Sequence, residues 1–282
     1  MKLSGGQYLA WGWQGGRYGG EYYQTVIWAS VDGMTWLQTA VLEGLVLAVE
    51  AGGPGYLAVG SRAGVDFFGG ALAWSSADGA TWVDSGLTPA PATSAMTDLT
   101  PFQGGFVAVG LAGNDKGFSE GLVWSSQDGL AWAQMVADPN LTNTAISDVI
   151  LAGGKLIAAG SFSVQLTSGQ YARPAIWRSE AGATWTIFFE RQCCGDVVDI
   201  VDWNGRLLAM FGWSVPRGPE GGAALVRVNS DSEWEMIGAL PSEAGLAWER
   251  LLVTDEGVLV TGRRQLGDGT QQPVVLFPPS SL

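Results

Sequence analysis

The sequence predicts an all-β fold: a six-bladed β-propeller of four-stranded antiparallel blades, with the first and last blades incomplete. Three observations predict it: a Trp-bounded turn motif repeated along the chain, a Gly-led apolar strand upstream of each copy, and a spacing of about 50 residues between units. Composition agrees. Of 282 residues, 42 are Gly and 14 are Trp, and only 15% are charged, which suits short buried strands joined by tight turns.

Four copies of the turn motif align without gaps. Trp28 to Trp36 reads Trp-Ala-Ser-Val-Asp-Gly-Met-Thr-Trp, and Trp74 to Trp82 reads Trp-Ser-Ser-Ala-Asp-Gly-Ala-Thr-Trp. Trp124 to Trp132 and Trp177 to Trp185 follow the same pattern, with Ala131 in place of the Thr and Ala181 in place of the Asp. A degenerate fifth copy runs from Val226 to Trp234, and a sixth begins at Pro273 and stops before its turn. Upstream, a Gly pair or its equivalent opens a short apolar strand that closes on Gly12, Gly60, Gly110, Gly160, Gly212 or Gly262. A further strand precedes it, as in Ser147 to Leu151 and Asp199 to Trp203. Each unit therefore reads as four strands, A to D, with the Ser-x-Asp-Gly turn joining C to D. The units span approximately 1–44, 45–92, 93–144, 145–195, 196–245 and 246–282 of one propeller domain.

The turn motif resembles the Asp-box, or BNR repeat, of sialidase-like propellers, in a variant one residue shorter: Ser-x-Asp-Gly-x-Thr-Trp. Kelch propellers share the repeat length, but their Gly pairs close the second strand, whereas these precede it. The resemblance implies a structural role for Asp32, Trp36, Asp78, Trp82, Asp128, Trp132 and Trp185. Each Asp accepts N–H bonds from its own turn, Gly supplies positive φ, and Trp packs between blades. It also implies that these turns lie on the face opposite any catalytic pocket.

Strand counting gives six B and six C strands but no sixth D strand, and only the tail of the first A strand. Two readings stand. Residues upstream of Met1, including a secretion signal and a closing strand, are absent from this sequence, or the ring has two three-stranded blades sealed by a partner, since unpaired edges invite association.

Propeller geometry puts the B–C and D–A loops on one face. The B–C loops are long and varied and carry the ligand-binding candidates Arg17, Tyr18, Tyr22, Arg62, Phe67, Tyr171, Arg173, Trp213, Arg217 and Arg263. Strand A starts toward the same face, bringing Asp98, Asp148, Asp199 and Glu249 near the channel mouth as candidate catalytic carboxylates. The competing role for these acids is to cap the D–A loop. Cys193 and Cys194, adjacent on a D–A loop, form either a strained vicinal disulfide, which implies an oxidising compartment, or a pair of reduced thiols beside Trp203.

Several functions are excluded. With 27 acidic against 14 basic residues, a net charge of −13 and a pI near 4.3, the chain has no basic footprint for nucleic acid. The absence of His excludes His-based zinc sites, Ser–His–Asp triads and Cys–His dyads. No apolar run approaches the roughly 18–20 residues that span a bilayer, so membrane insertion is not expected. No cofactor is expected; the nearest to a calcium site are Asn114, Asp115 and Asp268, which lack the Asp-x-Asp-x-Asp-Gly spacing. The sialidase signature is also missing: no Arg-Ile-Pro opens the chain, and spacing selects no arginine triad. The leading expectation is a secreted or cell-surface propeller that binds a glycan or protein through its B–C loop face. The alternatives are a glycoside hydrolase with carboxylates at the channel mouth and a subunit or assembly factor of a larger complex.

Overall fold

The computed structural model describes all residues except 1, 5, 15–23, 63–68, 89–90, 114–118, 167–168, 192–194, 214–221, 229–232, 256, 268 and 277–282. The fold is a six-bladed β-propeller of antiparallel blades. The chain packs as two compact units, Met1–Thr142 and Asn143–Leu282, each contributing three blades.

In the first unit, blade 1 is β1 (Lys2–Ser4), β2 (Gln7–Gln14), β3 (Gln24–Ser30) and β4 (Leu37–Glu43). Blade 2 is β5 (Leu45–Gly52), β6 (Gly55–Ser61), β7 (Ala71–Ser76) and β8 (Trp82–Asp84). The next strand, β9 (Gly86–Thr88), leaves its own repeat and pairs in parallel with the outer strand of blade 3. Blade 3 comprises β10 (Ser94–Phe102), β11 (Gly105–Gly113), β12 (Ser119–Ser126) and β13 (Ala131–Gln134), which with β9 makes five strands.

The second unit holds blade 4, made of β14 (Thr144–Ala152), β15 (Lys155–Leu166), β16 (Gly169–Ser179) and β17 (Thr186–Glu190). Blade 5 is β18 (Asp196–Trp203), β19 (Arg206–Trp213), β20 (Gly222–Val228) and β21 (Trp234–Leu240). Blade 6 has three strands among the described residues, β22 (Leu246–Thr254), β23 (Gly257–Gln265) and β24 (Gln271–Leu276).

The Gly pairs of the sequence mark tight hairpin turns, although among the described residues only Gly153–Gly154 is itself the turn, while Gly52 ends β5 and Gly105 opens β11. Gln103–Gly104, Gly153–Gly154 and Asn204–Gly205 each join the first two strands of a blade through two residues with positive φ. That backbone matches the right-handed twist of the flanking strands, and Gly or Asn adopts it at least cost.

Apolar side chains on both faces of the blades are buried against neighbouring blades. One core joins Leu9 and Ile27 of blade 1 to Val49 and Trp74 of blade 2, and another joins Leu57 and Val59 to Trp124 and Trp132 of blade 3. In the second unit, Ile157 and Ile176 meet Ile200 and Phe211, while Leu208 and Leu225 meet Leu251 and Val260. Trp124, Trp177 and Trp185 are fully enclosed, as expected of residues wedged between sheets.

The Gly that recurs in the second strand has a separate cause. In blades 2 to 6 the inner strand carries a one-residue bulge, at Val46/Ala48, Met96/Asp98, Ile146/Asp148, Val197/Asp199 and Trp248/Arg250. The bulge drives a carbonyl into the facing strand. A Cβ at Gly60, Gly110, Gly160 or Gly262 would lie 1.7, 2.0, 2.1 or 2.2 Å from the oxygen of Leu45, Ala95, Ala145 or Ala247. Blade 5 differs: Phe211 stands opposite Val197, and Gly212 sits one residue further along. The close approach gives a direct test. Gly160→Ala forces backbone apart and should cost about 3 kcal/mol or more, the upper range for overpacking. Gly153→Ala meets open space and costs only its left-handed conformation, about 1–2 kcal/mol. Urea unfolding of the two variants checks the order, and equal losses would contradict the bulge argument.

Candidate functional site: the inner-strand carboxylates

Two polar systems lie at opposite ends of the strands, the turn bonds in blades 1 to 4 and the inner-strand side chains in blades 3 to 6. At one end, the turn between third and fourth strands is closed by its own side chains. In blade 1, Ser30 Oγ accepts the N–H of Gly33 (2.9 Å) and donates to Asp32 Oδ1 (3.0 Å). Asp32 Oδ1 accepts the N–H groups of Met34 (2.8 Å) and Thr35 (2.7 Å), and the Trp36 indole donates to Gly33 O (3.1 Å). Asp78 and Trp82 repeat this in blade 2, and Asp128 and Trp132 in blade 3. In blade 4, where Ala181 replaces the Asp, the Ser179 and Trp185 bonds to Gly182 persist.

The amide donors hold these carboxyls below the ordinary Asp range, Asp32 at about 2 and Asp78 and Asp128 lowered by the same bonds. A lowered pKa means stability present above the unfolded value and lost as pH falls through the folded one. Asp32→Ala should therefore lower the thermal midpoint at neutral pH, and the gap to wild type should close as pH approaches 2. A pH-independent gap would assign the effect to something other than the carboxylate.

At the other end stand the inner-strand residues just after the bulge: Ala48, Asp98, Asp148, Asp199 and Arg250. Asp98 is half-buried on β10. Asp148 and Asp199 are 3% and 4% exposed. Asp148 Oδ2 accepts the N–H of Ile200 on β18 (2.8 Å), and Asp199 Oδ2 accepts the N–H of Leu251 on β22. Each acid thus grips the backbone of the next blade, just beyond that blade's own residue at the same position. The neighbouring bulge residue Ser147 bonds both Ala159 O (3.1 Å) and Val197 O (2.8 Å), which ties the same two blades.

Arg250 closes this series. Its guanidinium lies 3.4 Å from Asp199 Oδ1, with the Arg side chain 42% exposed. Glu249 occupies the bulge itself, half-exposed, and pairs with Arg263 at 2.8 Å. Burial is the largest influence on Asp199 and pushes its carboxyl well above the ordinary Asp range. The charge and hydrogen bond of Asp148 push the same way, while Arg250 and the Leu251 amide oppose them. The arrangement supplies a carboxylic acid that keeps its proton where a free one would lose it.

Of the other expected residues, Arg173 pairs with Glu190 at 2.6 Å and covers the Phe162 ring at 5.7 Å. Tyr171 is half-buried on the long β15–β16 hairpin, and Arg62 is exposed at the end of blade 2's second strand. Arg17, Tyr18, Tyr22, Phe67, Arg217, Cys193, Cys194, Asn114, Asp115 and Asp268 lie outside the described residues, as does the side chain of Trp213. Among the described residues no group of three or more Cys, Asp or Glu is placed to hold a metal ion, and no helix is long and apolar enough to cross a membrane. Sequence reasoning missed Arg250. The signal was available, since Arg250 follows Asp199 by 51 residues, one repeat length.

The sign of the Asp199 shift makes a testable statement. A raised folded pKa means the stability contribution is complete below the unfolded value and is lost as pH rises through the folded one. Asp199→Asn keeps an oxygen for the Leu251 amide and cannot ionise. Its thermal midpoint should fall less than that of wild type as pH climbs above the ordinary Asp range; parallel curves would show that Asp199 does not titrate there.

No family model and no curated protein matches the sequence. Solved structures do resemble it. A Trypanosoma rangeli sialidase in complex with sialic acid superposes with a TM-score of 0.57 at 12% identity, over 99% of this chain and 53% of that one. A Fusarium graminearum GH93 α-L-arabinofuranosidase with arabinobiose gives 0.54 at 12% identity over 90% and 85%. A thermostable family-43 glycoside hydrolase gives 0.51 at 11% identity over 80% and 87%. The chain spans about half the length of the sialidase. At these identities the likeness establishes the fold alone, a β-propeller.

Proposed function

We propose that this chain is a glycoside hydrolase in which Asp199 is the proton donor. One observation carries the reading: a buried carboxyl, Asp199, whose hold on its proton is strengthened by burial and by a second carboxyl, Asp148, stands at the start of an inner strand. Glycosidic bond cleavage needs an acid that keeps its proton near neutrality and a second carboxylate with access to the sugar. Asp148, 3% exposed and bound to the Ile200 amide, lacks that access, and its charge and hydrogen bond help Asp199 retain the proton. Glu249, which the bulge leaves outside the ladder and half-exposed, is the second carboxylate. The resemblance of the turn motif to the Asp-box, and the glycan-active proteins among the structural neighbours, support a glycan substrate.

A second reading is glycan binding without turnover. It is favoured by the bonds that Asp148 and Asp199 make to backbone amides of the next strand, which give both acids a structural task. Recognition then rests on the B–C loop face, with Tyr171 and Arg62 among its members.

Chromogenic arabinosides, galactosides and sialosides separate the two. Turnover is expected, with Asp199→Asn and Glu249→Gln each lowering kcat on the order of 100-fold or more, the usual worth of a general acid or base. Because the donor must be protonated, wild-type turnover should fall as pH rises through the raised pKa of Asp199. Glycan binding with no turnover would replace the hydrolase reading with the binding one, and neither binding nor turnover would remove both.

A further inference from the structure

We propose that Arg250 is a positioning residue that regulates this site: its guanidinium holds the Asp199 side chain and governs when that carboxyl releases its proton. The inference rests on the reading of Asp199 as a proton donor, and it deepens that reading by naming what sets the donor's working range.

Five inner strands place a residue at the same point after the bulge, and the last two described acids of that series each hold the following strand through a backbone amide. In blade 6 the position is filled by a cation, Arg250, which faces back onto the acid of the preceding blade. Asp199 is therefore enclosed between unlike neighbours. From β14 it faces Asp148, which raises the energy of a second negative charge. From β22 it faces Arg250 and the Leu251 amide, which lower it. The facing residue on β19 is Met210, which carries no charge. Glu249 and Arg263 are paired with one another at the edge of the group.

Position explains why an Arg suits this place. Its side chain is 42% exposed while that of Asp199 is 6% exposed, so the cation keeps much of its hydration while one end of the guanidinium reaches the buried oxygen. A cation buried as deeply as the acid would carry its own desolvation cost. Without Arg250 the Leu251 amide alone, among the described residues, would oppose burial and Asp148, and the proton would be held more firmly.

The test uses the whole chain and compares wild type, Arg250→Met, Arg250→Lys, Asp199→Asn and the Met–Asn double variant. Thermal midpoints are followed from about pH 4 to about pH 9, a range that brackets ordinary and strongly raised carboxyl pKa values. In wild type the Asp199-dependent loss of stability ends where the carboxyl ionises. In Arg250→Met that end point should move up by about one pH unit or more, the usual effect of a neighbouring Arg on an Asp. Arg250→Lys should restore most of the shift, and on the Asp199→Asn background Arg250→Met should change no pH dependence. If glycosides are turned over, the alkaline limb of the rate profile should move by the same amount. Identical pH curves for wild type and Arg250→Met overturn the proposal, and so does an effect that persists unchanged on the Asp199→Asn background, which would mark a packing role. Absence of turnover removes the hydrolase reading alone, because the stability curves still report on Arg250.

Discussion

A blade of this protein has two apolar faces and no means of covering either by itself. Ile27, Leu57, Ile176 and Leu225 belong to cores that are complete only when the adjacent sheet is present. Cohesion in such an array is a sum of nearest-neighbour interfaces, and every polar feature must fit between sheets already pressed together by burial. The enclosed tryptophans follow from this. A large flat ring fills the wedge between two twisted sheets with little loss of side-chain entropy.

Polar ties are added at the two ends where the wedge opens. On the turn side, Ser, Asp and Trp side chains satisfy the backbone of a corner that has too few residues to satisfy itself. Blade 4 shows how the labour is divided: Ala181 removes the carboxylate, yet the hydroxyl and indole bonds to Gly182 survive. On the opposite side the ties run between blades, and here the chemistry changes character. A carboxyl that grips a neighbouring backbone inside the protein has given up water, and its proton becomes sensitive to whatever charge the next repeat supplies. The same position thus holds a neutral Ala48 in one blade, acids in three and a cation in another.

Much of the architecture was legible in the sequence because it repeats. The Trp-bounded turns announce the blade corners, and the Gly pairs announce the hairpins. What stayed hidden depends on pairing across strands. Gly160 reads as the close of a strand, but its cause is the Ala145 carbonyl pushed at it by a bulge that no local composition reveals. Asp148 and Asp199 were recognised as candidates from their place near strand starts, whereas the bonds to Ile200 and Leu251 join residues 52 apart and leave no local mark. Arg250 escaped because a search for carboxylates passes over a cation one residue beyond Glu249, although the repeat length points straight to it.

Strand β9 carries a consequence of its own. It is encoded in the second repeat, yet its three residues complete the edge of the third blade, pairing Gly86, Leu87 and Thr88 with Ala131, Trp132 and Ala133. Coding unit and mechanical unit are therefore offset at this junction. A repeat excised or shuffled at the boundary suggested by the Trp spacing would carry away its neighbour's outermost strand, so a recombinant array of these modules would have to be spliced before Gly86 to keep each sheet whole.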